Sequence, residues 1–295
     1  MKSTPDDIRI FVHVGMPKCA SSKLQLDLFG KSDEINFLGV VRDHDGEKNI
    51  KKTDKRLRNF FHFVRGKNDD KTAAIIVRSF LDRKKVNVIS EEDFSTANMI
   101  SIHEKARRLH SILPEAEIIL VLRNPVDFLR SFHAFMVRGQ HVTKTIDDWL
   151  RDELLDVENS FFLNSGKIKS IADAYQNTFG TKNVKLINFD DFRSDPENTF
   201  QDLAEYIGIK SKLDHQTKRN QGLPPAAIKI ATTAPFLWKG RALLPKVLRR
   251  AVKSLLSKIP AQKAKIEQDV LQQLEEFYEE DIAFIHDNLK SDSQS

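Results

Sequence analysis

At 295 residues the chain is long enough to bury a sizeable core as one large α/β domain or two small ones, and no Pro/Gly/Ser-rich linker interrupts it, which favours one domain over residues 1–295. The single cysteine excludes an internal disulfide framework and fits a reducing compartment, and no run of about 18 apolar residues exists to span a bilayer. The net charge of +5 hides an asymmetry: residues 215–266 hold 12 Lys or Arg and no Asp or Glu, so the rest of the chain sums to −7.

Residues 1–7 are polar and lack the apolar core of a signal peptide. Ile8–Val14 is short, apolar and β-branched, which predicts a buried strand of a parallel sheet. Gly15 then allows a tight turn and Pro17 stiffens it. A helix is predicted over Ser21–Phe29, with Ser21 or Ser22 as its cap. Strand, loop and helix start make an anion site, because the first amides and the positive dipole end of the helix face the loop, and Lys18 adds a full charge. The loop is not a Walker A motif: five residues after Gly15 stands Ala20, followed by two serines, and the lysine lies inside the loop. The best second strand, Ile118–Leu122, ends in Arg123, where a magnesium-dependent NTPase needs an acid. A phosphate-type ligand held by lysine, arginine and backbone amides, with no metal, is the resulting expectation.

Ile35–Val41 reads as a short strand or an extended segment. Lys51, Lys52, Lys55, Arg56, Arg58 and Arg65 then surround Phe60, Phe61 and Phe63, a pattern for a nucleic acid or a sulfated chain, or for a helix with a basic solvated face and buried phenylalanines. A helix over Lys71–Leu81 leads to a strand at Val86–Ile89. Directly after it come Glu91, Glu92 and Asp93, acids at a strand end, where open α/β sheets bind ligands and where carboxylates also cap helices. A helix over Asn98–Leu113 and the strand Ile118–Leu122, expected to be central, follow. Asn124-Pro125 reads as N-cap and first residue of a helix running to about Val137, which places Ser131 about two turns in. His133 and His141 are expected to be surface or capping residues.

Helices are predicted at Thr145–Leu155 and Ile168–Phe179, and a strand at Val184–Phe189. Asp195-Pro196-Glu197 opens a helix that Gly208 stops, and Asp190 and Asp191 read as structural. In the basic segment, Leu244, Val247, Leu248, Ala251, Leu255 and Ile259 share one helical face opposite Lys246, Arg249, Arg250 and Lys253. Such a helix packs on a core with its basic face solvated, attracts an anionic polysaccharide, or lies on an anionic membrane beside a glycolipid. The chain closes on an acidic helix, about residues 267–289, expected to pack against the basic one.

Pro17-Lys18-Cys19-Ala20-Ser21-Ser22 resembles the first motif of the sulfotransferases that use 3'-phosphoadenosine-5'-phosphosulfate, and Leu122-Arg123-Asn124-Pro125 with Ser131 resembles their second, about a hundred residues on. The resemblance extends patchily from Ile8 to about Leu289. It departs at Ala20, where the family usually has glycine and where alanine resists positive φ. It implies an α/β, P-loop-like three-layer fold with a central parallel sheet flanked by helices. By resemblance Lys18, Cys19, Ala20, Ser21 and Ser22 hold the 5'-phosphosulfate, Arg123 and Ser131 hold the 3'-phosphate, and Lys218 and Arg219 belong to a basic loop over the nucleotide. Glu92 takes the position of the base proposed in polysaccharide-type members, with Glu91 in that of the preceding serine and the choice between the two open. The implied acceptor is a hydroxyl of a carbohydrate or glycolipid, with no metal and no specific nucleic acid, in the cytoplasm or at a membrane periphery, since relatives in secretory organelles usually carry an N-terminal anchor. Two other readings compete: a nucleotide kinase or NTPase with a degenerate loop, and a non-catalytic polyanion-binding domain.

Overall fold

In the computed structural model, residues 8–39, 55–69, 72–139, 141–210, 225–234 and 265–288 are described. Five parallel strands form one sheet: β1 (Ile10–His13), β2 (Ile35–Gly39), β3 (Val86–Ser90), β4 (Glu117–Leu122) and β5 (Val184–Asn188), in the order β2-β3-β1-β4-β5. Every residue of β1 and β3 is buried, as expected for strands covered by helices on both faces. The chain lays β2 and β3 on one side of β1 and then crosses to β4 on the other, so the strand order reverses around β1. Ligands of open α/β sheets bind outside the carboxyl ends of the strands at such a point. The middle place therefore belongs to β1, not to the 118–122 strand, because the crossover leaves β4 one position nearer the edge.

The described residues up to Arg123, those from Lys167 to Lys210 and those from Ala283 onward form one compact unit. Its helices flank the sheet: α1 (Ser21–Leu24), which widens into a π-type turn over Gln25–Phe29; α2 (Lys55–Val64); α3 (Ala73–Arg78), shorter than the predicted 71–81; and α4 (Ile102–Ile112). The second unit comprises Asn124–Gly166, residues 225–234 and residues 265–282. It opens with α5 (Pro125–Arg138), α6 (Ile146–Leu154) and α7 (Phe161–Ser165). The first unit resumes with α8 (Ile168–Phe179), which packs on β4 and β5, then α9 (Phe189–Ser194) and α10 (Pro196–Ile207). The caps follow the sequence. Asn124 Oδ1 accepts from the amides of Val126 (3.0 Å) and Asp127 (3.3 Å) with Pro125 behind it, and Gly208 ends α10 at φ 71°.

The second unit continues with α11 (Pro225–Thr233) and α12 (Gln268–Phe277), after which α13 (Glu279–Asn288) begins. The predicted single closing helix is thus broken at Tyr278. Its wholly buried ring donates a hydrogen bond to Leu163 O at 2.7 Å and lies where a Cβ on Gly166 would stand, 2.5 Å from its Oη. Tertiary packing of one side chain overrides a continuous helical pattern. The acidic start of α12 meets Arg151 of α6, which pairs with Glu267 (2.6 Å) and Asp269 (2.9 Å). The amphipathic basic helix at 244–259 lies outside the described residues. Among the described residues no helix is long and apolar enough to cross a membrane.

The basic and aromatic run at 51–65 divides by residue. Phe60 and Phe61 are buried, with their rings 6.2 Å and 6.0 Å from that of Phe94, while Arg58 is exposed and Arg65 pairs with Glu91 and Asp93. This is the solvated-face helix, with Arg65 diverted inward. Lys51, Lys52 and the side chains of Lys55 and Arg56 lie outside the described residues.

Candidate active site

Strand register alone gathers three chain segments. His13 at the end of β1 stands beside Ser90 at the end of β3 and beside Ile119 in β4, so the loop after β1, the acids after Ser90 and Arg123 after β4 emerge at one sheet edge. Beneath the loop a buried polar chain ties these elements. His13 Nδ1 and Ser90 Oγ are 2.8 Å apart, and Gln25 Nε2 donates to the same hydroxyl at 2.9 Å. Burial lowers the His13 pKa to about 4, so the ring is neutral at physiological pH. A Cβ on Gly15 would come within 2.6 Å of Ser21 Oγ and 2.9 Å of His13 Cε1, which is why only glycine fits here.

The loop is strongly curved. Lys18 and Ala20 have φ of 65° and 58°, the Cys19 amide donates to Met16 O (3.2 Å), and the Lys23 and Leu24 amides both donate to Ala20 O. Alanine's resistance to positive φ does not divert the path; the left-handed turn is kept at a cost of roughly 1 kcal/mol. Ala20→Gly is therefore expected to raise stability by about that amount, less the backbone entropy glycine loses on folding. Thermal melts check it: a Tm lowered by the full entropy cost of glycine would show that the alanine conformation carries no strain.

Lys18 is exposed, Cys19 is wholly buried, and Ser21 is buried at the helix start. Burial pushes the Cys19 thiol up to about 12, against the opposing effect of Arg123, so it remains an unreactive thiol. Arg123 Nη1 donates to Lys18 O at 3.1 Å, and its guanidinium lies 4.5 Å from the Phe189 ring centroid. A planar cation is thereby held against the loop by a carbonyl and an aromatic face.

The two glutamates part company. Glu91, buried, caps the short 3₁₀ turn at residues 92–94 by accepting from the Asp93 amide (3.3 Å), and it pairs with Arg65. Glu92 instead lies near the loop: burial and then Glu91 raise its pKa, and Lys18 opposes that rise, while the buried Ser21 hydroxyl is left without a hydrogen bond. The capping role and the loop-facing role, both predicted for this acidic cluster, fall on different residues. Ser131 lies half-buried on α5 in the second unit, and Lys218 and Arg219 lie outside the described residues. His133 is buried, with Nε2 3.1 Å from Lys144 O, and Asp190 sits in the first turn of α9 behind the Asn188 cap, paired with Arg193 at 3.4 Å. Gln25 and Ser90 carry no local signal of a role at the site, and Arg65 stands in the basic run with nothing local to mark it as the partner of the acid cluster.

The family model of the Sulfotransferase family matches residues 12–212. No curated protein matches the chain in sequence. Among solved structures, a sulfotransferase from Alicyclobacillus acidocaldarius is similar over 84% of this chain and 100% of that chain, with 19% identity and a TM-score of 0.53, a likeness of fold. Mouse sulfotransferase SULT7A1, complexed with PAP, aligns with 95% of this chain and 84% of its own at 15% identity and a TM-score of 0.46. The family match covers both motif regions, the acidic turn between them and every strand except the first two residues of β1. The chain belongs to the sulfotransferase family and is a sulfotransferase, in place of the nucleotide kinase and polyanion-binding readings.

Proposed function

We propose that the chain moves a sulfuryl group from 3'-phosphoadenosine-5'-phosphosulfate to a hydroxyl of a carbohydrate or glycolipid, the whole of residues 1–295 serving as one catalytic domain. The observation that supports this reading is the strand register, which brings the strongly curved loop after β1, the acidic turn after β3 and Arg123 after β4 to one sheet edge. The donor fits the residues present. The loop curves through two left-handed residues into the start of α1, and a fixed guanidinium stands at its rim.

When bound, the donor supplies an activated sulfuryl group and a phosphate leaving group. In this reading the amides and hydroxyls of Ser21 and Ser22, with the backbone of Cys19 and Ala20, hold the phosphosulfate. Lys18 stabilises charge that gathers on the bridging oxygen, Arg123 and Ser131 grip the 3'-phosphate, and Lys218 and Arg219 cover the nucleotide. Glu92 accepts the proton of the acceptor hydroxyl. Burial helps it do so, since a raised pKa makes the carboxylate a better base. Glu91 is unsuited to that task because Arg65 already holds it. The work is positioning and electrostatics, in which the protein forms no covalent bond. For the acceptor, Ser22-Lys23-Leu24-Gln25 at the loop exit looks more like polysaccharide-directed members than small-molecule members, and the basic segment 215–266 supplies cationic charge for a polyanionic chain or an anionic membrane surface.

Isothermal titration with adenosine 3',5'-bisphosphate, set beside ATP with magnesium, tests the donor site. Tight binding of the bisphosphate and little of ATP is expected, with Arg123→Ala weakening the bisphosphate about 10- to 100-fold through loss of charged hydrogen bonds. Undiminished affinity in Arg123→Ala would sink the 3'-phosphate assignment, and preference for ATP would sink the donor assignment.

A further inference from the structure

Lys105 is the one fully buried lysine among the described residues, and its position is unusual for what it touches. From α4 its Nζ donates to Asp93 O at 2.8 Å, Thr96 O at 2.6 Å and Asn98 Oδ1 at 2.6 Å. All three acceptors are neutral amide oxygens, and all three belong to the segment that leaves Glu92. An ammonium has three N–H donors, so its hydrogen-bonding capacity is filled. A neutral amine has two, and its lone pair would face an oxygen.

The same segment is tied to the phosphate loop. Ser95 Oγ donates to Gly15 O at 2.9 Å, the Glu91 amide donates to His13 O at 3.2 Å, and the Tyr175 hydroxyl of α8 donates to Phe94 O at 2.9 Å. Lys105 thus closes the far side of a turn whose near side touches the loop, and Glu92 lies between. Arg65 pins Glu91 and Asp93 from the end of α2 but does not reach the carbonyls that set the path of the backbone. We propose that Lys105 is a positioning residue: its ammonium gathers residues 93–98 and so holds the Glu92 carboxylate in place near the loop and Lys18. The proposal rests on the reading of Glu92 as the base, and nothing in that reading requires a cation behind the turn.

The charge is poised to be lost. Burial lowers the Lys105 pKa to about 8, with Asp93 and Glu91 of the turn raising it and Arg65 and Lys67 beyond α2 lowering it, while Tyr175 on α8 is held neutral by a pKa that burial raises. Deprotonation just above neutral pH would free one carbonyl and loosen the turn.

The test is Lys105→Met, which keeps length and apolar stem, read by carboxyl carbon NMR of Glu92 and by amide exchange. In the variant Glu92 is expected to lose its raised pKa and titrate in the ordinary glutamate range, as the turn opens to water, while adenosine 3',5'-bisphosphate binds within about twofold of wild type. In wild type, amides 93–98 are expected to gain about tenfold in exchange, beyond the intrinsic pH effect, as pH rises through 8, with the sheet amides unmoved. A merely structural lysine would lower Tm in the variant and leave the Glu92 titration where it was, which overturns the proposal. Should Lys105→Met not fold, the wild-type exchange decides: no step near pH 8 overturns it. Loss of bisphosphate binding in wild type itself would instead count against the donor reading, and wild-type turnover in Glu92→Gln against the base.

Discussion

Replacing Glu92 with glutamine is expected to lower turnover by about 10²- to 10⁴-fold, the usual worth of a positioned general base, with little change in affinity for adenosine 3',5'-bisphosphate. Glutamine keeps the volume, so the turn has no reason to move; what it removes is the ability to take a proton. Glu91→Gln makes the contrast. That change breaks the ion pair with Arg65 and lowers stability, and its effect on turnover is expected to be smaller than that of Glu92→Gln, because Glu91 faces Arg65 and its own turn. Lys18→Ala belongs with Glu92→Gln: an exposed loop lysine is cheap to remove for folding, yet turnover is expected to fall far more than donor binding. The measurement is steady-state release of adenosine 3',5'-bisphosphate in the presence of an acceptor, paired with titration of the bisphosphate. If Glu91→Gln were the inactive variant and Glu92→Gln the active one, the roles would have to be exchanged.

Acidification is expected to cost the wild type roughly 3 kcal/mol of stability through His13 alone, all of it between pH 6.5 and about 4. The sign follows from burial. In the unfolded chain the imidazole takes a proton below its ordinary pKa of 6.5, whereas in the fold it waits until about 4. Over that interval the unfolded state binds more protons, so each step down in pH favours it; below pH 4 both states are protonated and the contribution is flat. Glu91 and Glu92, whose pKa values are raised, act in the opposite direction as they protonate, so the total curve is shallower than the histidine part. Chemical denaturation of wild type against His13→Asn across this range isolates the term. The difference between the two is expected to shrink steadily as pH falls, because the asparagine variant has no proton to take up. Parallel curves would mean that the ring reaches water and that the Ser90 and Gln25 chain is not closed around it.

Much of the architecture could be read before any coordinate was known. All five strands were visible as short β-branched runs, and the starts of α5 and α10 were marked by Asn-Pro and Asp-Pro, because a cap is a local arrangement of one side chain and two amides. The closing helix was misread as continuous because Tyr278 suits a helix locally; its hydroxyl is claimed by Leu163, more than a hundred residues earlier. The short helices α7 and α9 were missed because each is barely a turn and a half, too short to show a period.

By itself the sequence determined the strand, loop and helix unit, the cationic residues at the loop and at the end of β4, and the family resemblance, since these depend on residue types at short spacing. Only the tertiary structure decided which acid faces the loop. Glu91 and Glu92 are neighbours of identical chemistry, and what separates them is that Arg65 pairs with the first while the second feels the charge of Lys18, a difference delivered by a sheet order that no local pattern encodes. The same holds for Lys105, which reads in sequence as one more charged helical residue and becomes a buried cation only because α4 packs its stem beneath the turn.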